Sequence, residues 1–195
     1  ERILLWFSLM NGPGGAKVDM GGETKMSAPP SFQVKAVGAF EQKEGCPDFA
    51  EQTLGAERLY DLCRNECYNP SNVRKKIDRI EVVRIRPQTE RQEPVGDLIE
   101  DPWLVHACDD QGDGCVFDFT DETFSRDTVY YVRAVQAPTM AINGRNLRCI
   151  YDQDGNCISL NPCHGDANLT DYEDDCLSEV EERAWSSPVY VDYRG

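Results

Sequence analysis

Nine cysteines are the residues of this 195-residue chain that most directly suggest chemistry. None of them has the Cys-x-x-Cys spacing that is typical of structural zinc sites and thioredoxin-like redox sites. Disulfides are the better prediction, and because they persist in oxidising compartments we expect a periplasmic or extracellular protein. The odd count predicts that one thiol is free or is paired outside this chain.

Loop length predicts most of the cysteine pairing. Three predicted disulfides close short loops whose flexible or turn-forming residues let the two ends meet. These pairs are Cys108 with Cys115, Cys149 with Cys157, and Cys163 with Cys176. Cys46 is expected to pair with Cys63 or with Cys67, and the residues leave that choice open.

A zinc site is the competing interpretation of the same region. Its candidate ligands are His106, Cys108, Cys163 and His164. Their spacing does not match the usual structural zinc motifs, and an oxidising compartment favours pairing of the cysteines. A single free thiol would support disulfides, whereas many free thiols would support a metal.

Carboxylates crowd the cysteine-rich loops over 108–115 and 149–176. Calcium takes about six to eight oxygen ligands, so loops of this composition predict a calcium site. The candidate ligands are Asp152, Asp154, Asn156, Asp171, Glu173 and Asp174. The loop at Asp152 starts like an EF-hand, but Gly155 comes two positions early and no Glu closes the frame, so a solvated turn is the alternative.

Nucleophilic or acid–base catalysis finds little support in the sequence. The chain has two histidines, His106 and His164, and no nucleophile elbow, phosphate-binding glycine loop or zinc-protease motif. Cys163 and His164 are adjacent, and neighbours in an extended chain point to opposite faces. We therefore expect no complete active site and no organic cofactor.

The net charge of the chain restricts the classes of partner that it could bind. The formal net charge is −15, and residues 101–195 carry 6 basic against 19 acidic side chains. Nucleic acid is an unsuitable partner, because phosphate binding needs clustered Lys and Arg. The apolar fraction of 40% is enough for a packed core, and no apolar run approaches the ~20 residues that span a bilayer.

Short alternating segments predict the elements that would position these loops. Strands are expected at 3–10, 32–40, 77–86, 116–119, 128–137, 147–151, 157–160 and 188–193. In the second of them, Phe32, Val34, Ala36 and Phe40 are expected to share one face. Helical spacing of apolar residues predicts one short helical insertion at about 48–66. The predicted fold is mainly β: a single domain over 1–195, an antiparallel β-sandwich with one short helix and disulfide-closed loops.

Four segments of the chain, taken in order, resemble one bacterial family. They are 78–84, 130–138, 146–149 and, most specifically, Glu-Arg-Ala-Trp-Ser-Ser-Pro-Val-Tyr at 182–190. The resemblance extends from the strand at Leu4 to Tyr193, and the ordered recurrence of the segments is more specific than any one of them. The chain resembles the C-terminal part of domain-of-unknown-function family 3604, whose members are usually exported and several hundred residues longer.

The resemblance implies a partner domain. In their N-terminal part, family members look like metal-dependent hydrolases of the polymerase-and-histidinol-phosphatase type, a distorted (β/α) barrel with His and Asp metal ligands. No His-x-His motif occurs in this chain, so no catalytic residue carries over. What the resemblance implies here is the terminal β-rich domain that packs on the barrel.

The first functional expectation is a non-catalytic accessory β-sandwich domain of an exported, metallohydrolase-like protein. The chain starts at Glu1 without an initiator Met and continues at once into an apolar strand, so we expect a piece of a longer chain. Two other functions stay open. One is a calcium-stabilised extracellular binding module, and the other is a structural subunit of an extracellular assembly, in which the strand over 3–10 pairs with a neighbour in an oligomer.

Overall fold

The computed structural model describes residues 2–64, 67–109, 112–142, 149–160 and 177–195. The chain divides into two compact units. The first unit comprises Glu1–Gln136 with Arg183–Gly195, and the second comprises Ala137–Glu182. The first unit holds the sandwich, and the second holds most of the cysteine-rich acidic segment.

The described residues are mainly strands, with two short α-helices and two 3₁₀ turns at Pro13–Gly15 and Val95–Leu98. Up to Gln136, where the first segment of the first unit ends, the elements in chain order are β1 Leu4–Leu9, β2 Val18–Asp19, β3 Glu23–Met26, β4 Ser31–Val37, β5 Phe40–Gln42, α1 Asp48–Leu54, α2 Ala56–Cys63, β6 Pro70–Arg74, β7 Ile77–Ile85, β8 Ile99–Ala107, β9 Cys115–Thr120 and β10 Thr128–Gln136. The strands of the second unit are β11 Thr139–Ile142, β12 Cys149–Tyr151, β13 Cys157–Leu160 and β14 Leu177–Val180. The first unit then resumes with β15 Arg183–Trp185 and β16 Val189–Tyr193.

Two sheets form the sandwich of the first unit. The first sheet has the order β2-β1-β4-β9, and the second has the order β3-β16-β10-β7-β8, with β15 also paired to β10. Neighbouring strands are antiparallel except β3 and β16, which are the parallel pair among the described strands. The predicted antiparallel β-sandwich is therefore confirmed.

The core lies between the inner faces of these two sheets. In β4 the side chains of Phe32, Val34 and Ala36 are buried, whereas Gln33 and Lys35 between them are exposed. This is the period of two that the sequence predicts, since successive side chains of a strand point to opposite faces. The largest fully buried apolar side chains around them are Phe7, Leu9, Ile77, Ile80, Tyr130, Val82 and Val132.

Phe40 does not continue the buried face of β4. The chain leaves the first sheet after Val37, and Phe40 begins β5, which pairs with β6 instead. Gly38 lies at this exit, where an added Cβ would be 1.8 Å from the carbonyl oxygen of Lys75. The alternation in the sequence is therefore interrupted by a backbone crossing that only a glycine fits.

The helical insertion predicted at 48–66 is divided into two helices. Gly55 has a φ of 77° and lies between α1 and α2, because it ends one helix in a conformation that favours glycine. Leu59 is the one buried side chain of the two helices, and Phe49 and Leu62 are 71% and 66% exposed. The insertion has almost no core of its own.

The second unit contains two small sheets, β11 with β14 and β12 with β13. The β12–β13 hairpin is the one that the Asp-Gly sequence predicts, and Gly155 has the positive φ, 83°, that such a turn needs. Cys149 and Cys157 are linked across this hairpin. Within the part of the chain that is described, no helix has the length and apolarity to cross a membrane.

Candidate functional site

The last strands of the two sheets, β8 and β9, meet along one side of the sandwich. The His106 ring of β8 stacks on the Phe117 ring of β9, with centroids 4.3 Å apart. Trp103 of β8 contacts Phe119 of β9 edge-on, at 6.0 Å between centroids. These contacts join the two sheets at their edges, because β8 ends the second sheet and β9 ends the first.

A disulfide closes the same edge. Cys108 directly follows β8, Cys115 begins β9, and the two sulfurs are bonded, as the loop length predicts. His106 lies beside them, so that its ring nitrogen and the two sulfurs fall within 4.8 Å of one another. Zinc binds thiolates rather than disulfide sulfur, so the bonded pair favours the disulfide interpretation over the zinc site here. The other candidate zinc ligands, Cys163 and His164, lie outside the described residues.

A buried arginine makes five hydrogen bonds inside the sandwich. Arg84 of β7 is 6% exposed, and its Nη1 donates to both Asp121 carboxylate oxygens at 2.9 Å. The same nitrogen donates to Thr123 Oγ1 at 2.7 Å. Nε and Nη2 donate to the two oxygens of Glu100 at 2.7 and 2.9 Å. The guanidinium also lies 4.2 Å from the ring centroid of Trp103.

Asp121 receives hydrogen bonds from the second sheet and from its own connection. It is 1% exposed, follows β9, and accepts the hydroxyl of Tyr130 at 2.7 Å and the backbone N–H and hydroxyl of Thr123 at 2.9 and 2.7 Å. Burial raises the pKa of this carboxyl group, but the hydrogen bonds from Tyr130, Thr123 and Arg84 outweigh it and lower the pKa. Burial and the Asp121 carboxylate raise the pKa of Tyr130 well above its usual range.

This cluster is built to hold the fold together. Because β7 belongs to the second sheet and Asp121 follows the edge strand of the first, the Arg84–Asp121 ion pair connects the two layers. Both side chains are buried, and their hydrogen-bonding groups are directed at each other and at Glu100, Thr123 and Tyr130. A catalytic carboxylate must reach a substrate, whereas Asp121 has no such access.

No motif or spacing in the sequence identifies this cluster, although one residue gives a signal for it. Arg84 lies two residues after Val82 and four after Ile80, so that it shares their inner face in β7. An arginine on an apolar face predicts a buried ionic partner, since an unpaired buried charge is too costly. The partner, Asp121, could not be found from spacing because it lies in a distant connection.

The Asp152 loop of the second unit forms an internally bonded turn. The Asp152 Oδ1 atom accepts the backbone N–H groups of Asp154 and Asn156 at 2.9 and 2.8 Å. The amide of the Asn156 side chain donates to Oδ2 at 3.1 Å. Hydrogen bonds from Asn156, first from its backbone, lower the pKa of Asp152.

This geometry is that of a polar turn more than of a calcium cage. Calcium needs about six to eight oxygen ligands, and the Asp152 carboxylate already satisfies the amides of its own loop. The three described side chains of this loop would therefore need further oxygen ligands to hold a calcium ion. Asp171, Glu173 and Asp174, the other predicted ligands, lie outside the described residues, so calcium binding stays a prediction.

Three cysteines meet at the helical insertion. Cys46 and Cys67 are disulfide-bonded, which decides between the two pairings that the sequence leaves open, and Cys63 is the free cysteine of the described residues. The Cys63 sulfur lies 3.3 Å from the Cys67 sulfur and 3.9 Å from the Cys46 sulfur. Cys163 and Cys176, predicted to form a fourth disulfide, lie outside the described residues.

The fold and these sites define a disulfide-bonded β-sandwich whose central polar cluster is structural. No family model matches the chain, and no curated protein or solved structure matches it significantly. The resemblance to the exported family is therefore neither supported nor contradicted by these comparisons.

Proposed function

We propose that this chain is a non-catalytic accessory β-sandwich domain of an exported, metallohydrolase-like protein. The observation that carries the proposal is the Arg84–Asp121 cluster, in which the most deeply buried ion pair of the described residues joins the two sheets. The polar groups of this cluster stabilise the fold, because Arg84 and Asp121 are both buried and hydrogen-bonded to neighbouring side chains.

The described histidine also supports a structural role. His106 stacks on Phe117 at the meeting edges of the sheets, beside the Cys108–Cys115 disulfide. A general base is directed at a nucleophile or an activated water, whereas the His106 ring lies against an aromatic ring and beside a disulfide. Its position suits packing between the layers.

Three disulfides among the described residues support the proposed location, the periplasm or the cell exterior. Disulfides of this kind form and persist in oxidising compartments. On this proposal the partner is an N-terminal metallohydrolase-like barrel of the same polypeptide, and this domain stabilises or positions it.

The experiment is an activity measurement on the purified chain. We expect hydrolysis of bis-p-nitrophenyl phosphate with added Mn²⁺, Zn²⁺ or Mg²⁺ to proceed at the rate of the protein-free buffer. Hydrolysis that rises in proportion to protein concentration and disappears with chelator would overturn the non-catalytic assignment. A His106→Gln variant is the companion measurement, since activity that is lost in this variant alone would belong to this chain and not to a contaminant.

The coding sequence upstream of Glu1 gives the second test. We expect it to encode, in the same reading frame, a barrel with His and Asp metal ligands. A signal peptide encoded directly before Glu1 would contradict the accessory role and would indicate an independent secreted module.

A further inference from the structure

We propose that Cys46, Cys63 and Cys67 form a thiol–disulfide exchange site, in which the bond between Cys46 and Cys67 can move to Cys63. The proposal rests on the positions of three sulfur atoms. It does not depend on the proposed function of the chain. Each of the three residues is partly exposed, so that water and small reagents reach the cluster.

Cys67 is the nearer of the two bonded sulfurs and is therefore the expected target of Cys63. Cys63 Sγ lies 3.3 Å from Cys67 Sγ, against 3.9 Å from Cys46 Sγ. Holding a nucleophile in contact with its target makes the reaction effectively unimolecular, which removes the entropic cost of an encounter. The exchange then needs the Cys63 thiol to lose its proton and the Cys63 side chain to rotate into line with the Cys67–Cys46 bond.

The Cys63 thiol is held in place by its own helix. Cys63 is the last residue of α2, and its Sγ donates to the Leu59 carbonyl oxygen at 3.1 Å. Loss of the proton removes this hydrogen bond and leaves a thiolate beside the disulfide. Because the thiolate is the nucleophile, exchange becomes faster as the pH rises.

The exchange balances within the chain. The Cys63 thiolate attacks Cys67 Sγ, a Cys63–Cys67 bond forms, and the Cys67–Cys46 bond breaks. Cys46 leaves with the electron pair as a thiolate and takes up a proton from water, which replaces the proton lost by Cys63. One disulfide and one thiol are present before and after, so no external oxidant or reductant is needed.

The exchange changes the length of chain that the disulfide closes. The Cys46–Cys67 bond spans 21 residues and closes both helices of the insertion, whereas a Cys63–Cys67 bond would span four. Leu59 is the one buried side chain of α1 and α2, so little apolar packing replaces the lost closure. Exchange therefore frees the insertion to open.

A cavity receives the released thiol. Cys46 lines a cavity of about 600 Å³ together with Leu59, Tyr60, Glu51 and Glu57. After exchange, the free thiol moves from Cys63, which is bonded to a carbonyl oxygen, to the wall of this cavity. The cluster thus has a closed form with the thiol on Cys63 and an open form with the thiol on Cys46.

Peptide mapping of the native chain tests the exchange directly. Lys43, Arg58, Arg64 and Arg74 place the three cysteines in separate tryptic peptides, 44–58, 59–64 and 65–74. The chain is incubated at about pH 8.5 without reducing agent, acid-quenched and labelled with N-ethylmaleimide at mildly acidic pH, where exchange is slow. We expect about a tenth or more of the label to appear on Cys46. In that fraction, a disulfide should link the peptide 59–64 to the peptide 65–74.

Incubation at about pH 4 is the matched condition, and there we expect label on Cys63 alone, because the thiolate is scarce. Label on Cys63 alone after both incubations would overturn the proposal.

Two variants separate exchange from simple misfolding. In Cys46→Ser incubated with oxidised glutathione, which accepts the two electrons, we expect the Cys63–Cys67 disulfide to form, with faster amide hydrogen exchange in α1 and α2 than in the native chain. In Cys63→Ser we expect the Cys46–Cys67 bond to persist at about pH 8.5, with α1 and α2 as protected as before. A Cys46→Ser chain in which both remaining thiols are labelled after incubation with oxidised glutathione, while the β7 and β10 amides stay protected, would also overturn the proposal.

Discussion

Cys108 and Cys115 join the edge strand of one sheet to the edge strand of the other, with their Cα atoms 5.7 Å apart. The His106–Phe117 stack and the Trp103–Phe119 contact lie along the same two strands. The two layers are thus connected at this edge by a covalent bond and by aromatic packing. The structural role that we assign to this region rests on that relationship.

Removal of the disulfide in the double variant Cys108→Ser/Cys115→Ser should lower the stability of the sandwich. The chain-entropy relation for a bond that spans seven residues gives a loss of about 2.5 kcal/mol in the free energy of unfolding. Urea unfolding followed by tryptophan fluorescence measures it. Cys63→Ser is the control, because it removes a sulfur that is in no disulfide, and equal stability of both variants would contradict the prediction.

Asp121→Asn should destabilise the sandwich by roughly 3 kcal/mol, because it leaves the buried Arg84 guanidinium without one of its two carboxylate partners. Asp118→Asn is the matched control on the preceding strand, where the carboxylate is exposed and bonds to Gln33. That change should cost less than about 0.5 kcal/mol. Chemical denaturation of the two variants side by side distinguishes them, and similar losses would refute a special role for Asp121.

The stability that Asp121 contributes should depend on pH. Its pKa is lowered in the folded state, so the unfolded chain binds the proton more readily and stability rises with pH in the acid range. The stabilisation is complete above the unfolded pKa of about 3.9 and is lost as the pH falls through the folded value.

Urea unfolding of the native chain and of Asp121→Asn between about pH 7 and pH 3 tests this pH dependence. The difference in unfolding free energy between the two proteins should stay constant down to about pH 5 and shrink below it. A difference that is the same at both ends of the range would show that the Asp121 charge makes no contribution.

Tyr130→Phe should cost about 1 to 2 kcal/mol, since it removes a buried hydrogen bond of 2.7 Å to the Asp121 carboxylate without changing the ring. Tyr131→Phe is the neighbouring control, on the opposite face of β10 and less buried. Its cost should stay below about 0.5 kcal/mol. Thermal unfolding of both variants provides the comparison, and the reverse order of melting temperatures would contradict the assignment.

The calcium prediction can be tested at Asp154. If the loop binds calcium, chelator should lower the melting temperature by several degrees, because a ligand at ~100 times its dissociation constant adds about 2.7 kcal/mol to the folded state. Asp154→Ala should abolish that shift while keeping the turn, which Asp152 holds through its bonds to backbone amides. An unchanged melting temperature with chelator would reject calcium in this chain.

Much of the strand pattern could be predicted from local sequence. The alternation of Phe32, Val34 and Ala36 in β4 is a local property, and so is the Asp-Gly turn between Cys149 and Cys157. By contrast, the local pattern does not predict β8, because Pro102 and the acidic residues before it interrupt the apolar alternation. Proline is tolerated there since β8 is the last strand of its sheet, a position that only the assembled sheet defines.

The sequence by itself determined that this is a mainly β chain with disulfide-closed loops, because side-chain alternation and short cysteine spacings are properties of neighbouring residues. The tertiary structure alone decided that Cys46 bonds to Cys67 rather than to Cys63, and that Arg84 forms an ion pair with Asp121. Those choices depend on distances between residues that are far apart in the chain. Such distances are set only when the two sheets pack and the helical insertion folds back on itself.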